Sequence, residues 1–317
     1  FPAQGLMTSI EMGPFGGLVE VNEAEPSRRG LGRILQTPAF VSVGYSNGYD
    51  AELLVAELKR MGARRIGLLA PGALPHAMIA ALQEHLPDAA LVDFTDAVDA
   101  IKAVKSPEEI ARLHDAAALQ DAVFAAVCGF IRPGLRDVEV ASFAQAEAHR
   151  LGSDQGIFLG ASAPLGVAAR FMGRGMQGRT IEKGEHFTLL IEVNGPSGLY
   201  TEIARTIVLG RAPDELRHSF DLMRAAQEHT LELIRPGAAP AAIAAAHDDW
   251  MRAHGLPPER RLYGHGQGTD MVERPLLRHD ETLELAAGMC LAVHPGYDDG
   301  TVFAVICDNY MVEANGV

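Results

Sequence analysis

The sequence predicts an α+β protein in which a smaller α/β domain precedes a larger domain made of two similar halves. The first hundred residues alternate between strand-like and helix-like patterns, which is typical of a mostly parallel sheet between helices. The Ile-Arg-Pro-Gly run at 131–134 returns at 234–237, and similar helices and strands surround each copy. We therefore place the boundary at Val104, with an N-terminal domain over 1–104 that is truncated at its start and a second domain over 105–317.

Apolar runs and capping signals define the elements of the N-terminal domain. Strands are predicted at 18–21, 40–43, 65–69 and 90–94 because short apolar or β-branched runs stand there between polar segments. One helix is predicted from Asp50 to Met61, since aspartate caps helix starts and leucines recur on one face. Another is predicted over 76–86, after Pro75.

The second domain begins with the clearest helix start in the chain. Ser106 can cap the helix, Pro107 suits its first turn, and Glu109 completes a capping box. The predicted helices cover 108–131, 137–151, 213–235 and 239–254, and the predicted strands cover 184–192, 200–210, 288–294 and 302–312. This order predicts an internal duplication with a pseudo-two-fold axis and a single curved antiparallel sheet beneath the helices.

The duplication would bring chemically active side chains from both halves into one cavity. Glu192 and Glu202 lie in strands of the first half, and His294 and Cys307 lie in the corresponding strands of the second. His265 stands between glycines in the run 263–270, where the backbone can approach another segment closely. Burying such titratable groups is costly, so their convergence indicates a functional site.

Composition excludes several classes of function. The net charge of −14 and a pI near 5.3 disfavour binding to nucleic acid. No apolar run is long enough to span a bilayer, so no membrane association is expected. The three cysteines are far apart in the sequence and do not suggest disulfides, which favours a reducing, cytoplasmic location.

Four motifs resemble the creatinase, prolidase and aminopeptidase P family. They are Lys105–Glu109, Glu202–Thr206, Gly264–Gly268 with Glu273–Pro275, and His294–Gly296. The resemblance covers roughly the whole chain. It implies a pita-bread catalytic domain, a creatinase-like N-terminal domain, a small-molecule substrate whose C–N bond is hydrolysed, and a homodimer.

The resemblance also implies two divalent metals held by two aspartates, one histidine and two glutamates, a pattern that this chain departs from. The corresponding residues are Glu192, Glu202, His265, His294 and Cys307. Imidazole and thiol in place of two carboxylates remove bridging oxygens, which hard cations prefer. We therefore expect no metal and a creatinase-like hydrolase acting on a small polar substrate that carries a carboxylate. Creatine itself is not expected, because Ala204 replaces the glutamate that creatinase has before Arg-Thr.

The predicted site combines catalytic and substrate-binding residues. The catalytic residues are His265, His294, Glu202 and Cys307; the substrate-binding residues are Glu192, Asn194, Arg170, Arg174, Tyr263, Glu273 and Asp308. Three alternatives remain: a single zinc ion, a metal-dependent Xaa-Pro dipeptidase with two manganese or cobalt ions, and a non-catalytic module that binds peptide or protein. Asn194 also suits a structural turn, since Asn-Gly-Pro-Ser-Gly is a typical turn sequence.

Overall fold

The structure, a computed structural model, describes residues 9–11, 33–35 and 44–317. Its contacts divide the chain into two units, 1–98 and 99–317. The predicted strands at 18–21 and 40–43 lie outside the described residues. Among the helices that the structure describes, none has the length and apolarity needed to cross a membrane.

The first unit contains a parallel strand pair with an intervening helix. Strand β1 (Ser9–Glu11) pairs with β2 (Arg33–Leu35), and helix α1 covers Gly44–Arg60. Strands β3 (Arg65–Leu68) and β4 (Ala90–Asp93) pair in parallel, and helix α2 (His76–His85) connects them, as the alternating pattern predicted. Helix α3 (Thr95–Ala103), which follows and extends into the second unit, was not predicted from the sequence.

Four long helices of the second unit agree with the predicted ranges to within two residues at either end. They are α4 (Pro107–Phe130), α5 (Asp137–Arg150), α6 (Asp214–Leu233) and α7 (Pro240–Ala253). The start of α4 has the predicted capping box. Ser106 Oγ accepts a hydrogen bond from the backbone N–H of Glu109, whose carboxylate accepts one from the N–H of Ser106.

The strands of the second unit form two main antiparallel sheets and a hairpin. The first sheet contains β5 (Gly156–Ala163), β6 (His186–Asn194) and β7 (Tyr200–Val208), in that order. The second has the order β13-β10-β8-β9, with β8 at Gly264–Gly266, β9 at Glu273–Leu276, β10 at Cys290–Val293 and β13 at Asp308–Met311. The hairpin pairs β11 (Gly296–Asp298) with β12 (Phe303–Val305).

The prediction of one continuous curved sheet is wrong. A single backbone bridge between Ala204 and Cys307 connects the edge of the first sheet with the second. The predicted strand at 302–312 is divided, because its first part turns away to pair with β11 and only its last part pairs with β10. Cys307, which forms this bridge with Ala204, lies between the end of β12 and the start of β13.

Each half places helices on its own sheet over an apolar core. Val123 and Val127 of α4 pack with Phe187, Leu189 and Ile191 of β6, and all five side chains are buried. In the second half, Ile243 and Ala244 of α7 and Leu291 and Val293 of β10 belong to a separate buried cluster. A glutamine connects helix to sheet in each half: Gln120 Nε2 donates to Ile191 O at 2.7 Å, and Gln227 Nε2 donates to Val293 O at 2.9 Å.

The two copies of the Ile-Arg-Pro-Gly run have the same local conformation. Gly134 and Gly237 have φ of 91° and 80°, a region in which other residues are strained. Gly134 N donates to Ile181 O at 2.8 Å, and Gly237 N donates to Leu285 O at 2.7 Å. These matched contacts support the duplication, which stays a prediction.

Candidate active site

Strands β6 and β7 bring two carboxylates face to face. Glu192 is directly opposite Glu202 in the antiparallel register, and side chains of opposed residues lie close on one face of a sheet. Both are buried, with 5% and 4% of their surface exposed. Two carboxylates out of water repel one another, so this pair requires a proton, a hydrogen-bond donor or a cation.

The second sheet brings two histidines to the same place. His265 of β8 is opposite Ala292 of β10, and His294 follows directly after β10. His265 Nε2 lies 3.5 Å from Glu202 Oε2, and the two imidazole rings meet at an angle of 62° with centroids 5.1 Å apart. Ligand atoms of Glu202, His265 and His294 all lie within 4.8 Å of one another. We call these three residues the Glu-His-His cluster.

The glycines beside His265 are required by close backbone packing. A Cβ at Gly266 would lie 2.6 Å from the backbone oxygen of Arg274 in β9, which is far too close. Gly268 has φ of 148°, and a Cβ there would be 2.5 Å from the Lys105 side chain. The glycines thus let the strand that carries His265 lie directly against β9 and the start of α4.

A buried ion pair fixes the loop that follows His265. Lys105 Nζ lies 2.5 Å from Glu273 Oε2, and the two side chains are 1% and 2% exposed. The same ammonium donates to Lys102 O, while Glu273 Oε1 accepts from the N–H of Asp270. These contacts attach the loop between β8 and β9 to the residues just before α4.

The hydrogen bonds of His265 direct one ring nitrogen at Glu202. Nδ1 lies 2.8 Å from Gly266 O, which can only accept, so Nδ1 carries the hydrogen and Nε2 faces the carboxylate. Burial disfavours the imidazolium, but Glu202 outweighs burial and raises the pKa of His265. Burial likewise opposes the Glu202 carboxylate, yet His265 and His294 outweigh it and lower its pKa.

Burial is the main cause of the pKa shifts of His294 and Glu192. Burial lowers the pKa of His294 to about 4, so this imidazole is neutral at pH 7 with a lone pair available. Burial and the nearby charge of Glu202 raise the pKa of Glu192 to about 8. Gln267 Nε2 donates to Glu192 Oε1 at 2.8 Å and to Met271 O at 3.1 Å.

Comparison with family models identifies the family of the second unit. The model of metallopeptidase family M24 matches residues 111–314. The chain belongs to this family.

Solved M24 structures have the same fold. An X-Pro aminopeptidase from Thermotoga maritima superposes with a TM-score of 0.75 at 18% identity, over 84% of this chain and 74% of that one. A Xaa-Pro dipeptidase from Bacillus anthracis gives 0.72 at 25% identity, over 84% and 75%. The pita-bread fold predicted from the sequence is therefore confirmed.

Curated relatives of this M24 chain are named as peptidases. The uncharacterized peptidase YqhT of Bacillus subtilis is 27% identical over 268 residues, which are 82% of this chain and 73% of YqhT. The probable dipeptidase PepE of Mycobacterium bovis is 28% identical over 228 residues, 70% of this chain. The match spans only 59% of PepE. The predictions of a creatinase-like activity and of a metal-free site are not supported by these relatives.

Cys307 is next to the cluster but outside it. The thiol is fully buried, and its Sγ lies 3.7 Å from the backbone oxygen of Glu202. Burial, reinforced by nearby Glu202, raises its pKa well above the usual value. A thiol that stays protonated is a poor nucleophile, so this geometry favours packing at the joint between the sheets over covalent catalysis.

Four of the predicted substrate-binding residues of this M24 domain contact other residues of the protein. Asn194 Oδ1 accepts hydrogen bonds from Ser153 and from the backbone of 154–155. These contacts favour the structural role in a turn that was considered above. Tyr263 stacks on His247, with ring centroids 3.9 Å apart. Glu273 forms the ion pair with Lys105, and Asp308 accepts from Arg205 and Gln227.

The two predicted arginines lie in different surroundings. Arg170 forms an ion pair with Asp298, at 2.5 Å between Nε and Oδ2. Arg174 donates to Gln145 of α5. Neither arginine contacts the Glu-His-His cluster in the part of the chain that the structure describes.

Sequence reasoning missed two features of the site. Gln267 lies inside the run 263–270, but its contact with Glu192 depends on how two distant sheets approach. Arg261 precedes His265 by four residues and donates to the backbone oxygen of His294 at 3.1 Å. The Arg-Arg pair at 260–261, directly before a functional segment, was the available signal.

Proposed function

We propose that this M24 hydrolase cleaves the amide bond of short peptides of the Xaa-Pro class, using one divalent cation bound by Glu202, His265 and His294. The observation that carries the proposal is the convergence of the buried side chains of Glu202 and His265 with the half-buried side chain of His294, whose ligand atoms lie within 4.8 Å of one another. The family match and the names of the relatives support a peptidase.

The donor atoms fit a cation. An unprotonated His265 Nε2 and the Glu202 carboxylate at 3.5 Å are both acceptors, so either a proton or a cation must lie between them. The neutral imidazole of His294 adds a third donor. Two histidines and one glutamate are a known ligand set of catalytic zinc, and two histidines with a carboxylate also bind iron(II).

The surroundings of Glu192 favour one ion over two. A second cation would need the Glu192 carboxylate, but Gln267 already donates to its Oε1 from a fully buried amide. The Cys307 thiol, whose Sγ lies 3.7 Å from the backbone oxygen of Glu202, adds no carboxylate for a second ion. A neutral amide donor thus occupies the position in which a second ion would compensate charge.

A bound cation supplies Lewis acidity, which activates water and polarises the substrate carbonyl. In this proposal Glu192, which accepts a hydrogen bond from Gln267 and lies outside the cluster, takes a proton from the attacking water. As oxygen bonds to the carbonyl carbon and the C–N bond breaks, Glu192 returns this proton to the leaving amine nitrogen. A carboxyl group that gains and releases a proton near neutral pH can serve first as base and then as acid.

Metal analysis combined with a hydrolysis assay tests the proposal. Protein titrated with zinc, manganese or cobalt is expected to bind one equivalent, and Ala-Pro hydrolysis should disappear with a chelator and return with the ion. His294→Ala should weaken ion binding at least roughly 100-fold, because it removes one of three ligands. His279→Ala, which removes an exposed histidine paired with Asp248, is the matched control and should leave binding unchanged.

Two results would contradict the proposal. Two ions per chain would mean that Gln267 does not exclude the second position. Hydrolysis that persists in metal-depleted protein would favour the metal-free mechanism, in which His265 and Glu202 act as acid and base.

A further inference from the structure

We propose that Asp308 is a positioning residue that holds Glu202 and His294 at the separation that a shared cation requires. It acts through Arg205 and Gln227, which donate to its two carboxylate oxygens. We call Asp308, Arg205 and Gln227 the Asp308 network. The inference rests on the cation site of the proposed function, and none of the three residues belongs to the Glu-His-His cluster.

The chain neighbours of Asp308 bind the strand that carries Glu202. Cys307, directly before Asp308, exchanges backbone hydrogen bonds with Ala204. Asn309, directly after it, donates from Nδ2 to Glu202 O at 2.8 Å. The segment around Asp308 is therefore the part of the second sheet that contacts β7.

The opposite side of Asp308 leads to His294. In the register of β13 and β10, Asp308 is directly opposite Val293, and His294 follows Val293 in the chain. Gln227 of α6, which is 5% exposed, donates from Nε2 to Val293 O at 2.9 Å and to Asp308 Oδ2 at 3.3 Å. Since Val293 O belongs to the peptide bond that joins Val293 to His294, this amide connects the carboxylate with the backbone that carries the histidine.

Arg205 connects the same carboxylate with the joint between the sheets. Its Nη2 donates to Asp308 Oδ1, and its Nη1 donates to Ala204 O at 2.9 Å and to Cys307 O at 2.7 Å. These two backbone oxygens are also the acceptors of the hydrogen bonds that Ala204 and Cys307 exchange. One guanidinium thus binds both oxygens at the joint, and Asp308 orients it.

A cation site depends on this kind of support. Glu202 comes from the first sheet and His294 follows a strand of the second, yet each donor atom must lie about 2 Å from one ion. Arg205 and Asp308 have side chains that are 34% and 32% exposed, so their charges alone contribute little to stability. We therefore assign the importance of the Asp308 network to the geometry of the cluster.

Zinc titration of Asp308→Asn tests the inference, with Asp298→Asn as the matched control. Each substitution removes a carboxylate that pairs with an arginine and whose side chain is 32% exposed. Competition with a chromophoric chelator should show zinc affinity about 10–100-fold lower in Asp308→Asn, the usual effect of losing a residue that orients metal ligands. Asp298→Asn should bind zinc as the wild type does. Urea denaturation of the metal-free variants should show similar losses of stability, so the difference in affinity does not reflect folding.

Gln227→Met separates positioning from direct attraction between Asp308 and the cation, because it changes no charge. It should lower zinc affinity about tenfold or more and change the visible absorption of cobalt-loaded protein, which reports the geometry of the ligands. Since both residues act through one network, the losses in affinity should not multiply when Gln227→Met is combined with Asp308→Asn.

Three results would overturn the inference. One is equal zinc affinity in Asp308→Asn and Asp298→Asn. Another is a cobalt spectrum and zinc affinity in folded Gln227→Met that match the wild type. The third is a double variant whose loss in affinity is the product of the two single losses, since Asp308 and Gln227 would then act independently.

Hydrogen exchange of the metal-free variants separates this inference from the proposed function. The amides of Ala204 and Cys307 should exchange with deuterium faster in Asp308→Asn than in Asp298→Asn. If the wild type binds no cation but this difference is found, the proposed function fails and the positioning role of Asp308 stands. If the wild type binds zinc and hydrolyses Ala-Pro, but the two variants match in exchange and in zinc affinity, the proposed function stands and this inference fails.

Discussion

Replacing Lys105 by methionine should strongly destabilise the second unit. The variant keeps most of the side-chain volume but leaves the Glu273 carboxylate, which is 2% exposed, without its cation. Asp270 N would remain as its hydrogen-bond donor. Removing one partner of a buried ion pair typically costs about 3–5 kcal/mol, because an uncompensated charge stays out of water. We therefore expect the free energy of unfolding to fall by about this amount.

Urea denaturation followed by fluorescence measures this loss. The chain has a single tryptophan, Trp250, which lies in α7 and reports on the second unit alone. Arg112→Met is the control, because it breaks an exposed pair with Asp115 whose side chains are 56% and 64% exposed. Its cost should be at most about 1 kcal/mol.

A double variant sharpens the test. In Lys105→Met with Glu273→Leu, no unpaired charge remains, so the protein should be more stable than Lys105→Met alone. The reasoning from burial is refuted if Lys105→Met costs no more stability than Arg112→Met. It is also refuted if the loss in the double variant equals the sum of the losses in Lys105→Met and in Glu273→Leu measured separately.

Two predictions concern the site itself. Between pH 4.5 and about 8, folded metal-free protein holds a proton on Glu192 that the unfolded chain releases, so the contribution of Glu192 to stability should fall as pH rises through this window. Denaturation at several pH values should show that Glu192→Gln lacks this decline. A free energy of unfolding that rises with pH in the wild type relative to Glu192→Gln would contradict the prediction. Cys307→Ser should retain hydrolysis within about tenfold in a dipeptidase assay, whereas a fall beyond about a thousandfold would identify the thiol as the nucleophile.

The start of α4 was predictable because it depends on a few adjacent residues, whereas α1 begins at Gly44 and not at the predicted cap Asp50. Ser106, Pro107 and Glu109 act within one turn, and the observed capping box matches the predicted one. The Gly-His-Gly segment was recognisable for the same reason, since its glycines answer a local requirement for close packing. The catalytic candidates Glu202, His265 and His294 followed from motifs that each lie within one short segment.

The pairing of the strands and the contacts between the two sheets at the site could not be predicted in this way. Strand β5 has only one β-branched residue, Ile157, and several small ones, so its pattern was not recognised as a strand. The division of 302–312 reflects hairpin pairing of its first part with β11 and pairing of its last part with β10, and the pattern of 302–312 alone does not encode this choice of partners. The contact of Gln267 with Glu192 arises between two sheets, and neither segment alone indicates it.

The narrow joint between the two sheets has a mechanical consequence. Glu202 belongs to the first sheet, whereas His265 and His294 belong to or follow strands of the second. Ala204 and Cys307 exchange one pair of backbone hydrogen bonds across the joint, at 3.3 and 3.5 Å. Asn309 adds side-chain bonds to the backbone of Glu202, at 2.8 and 3.2 Å. An ion bound by residues from both sheets would add a further link across this joint, so the amides of Ala204 and Cys307 should exchange with deuterium faster in metal-free protein than in loaded protein.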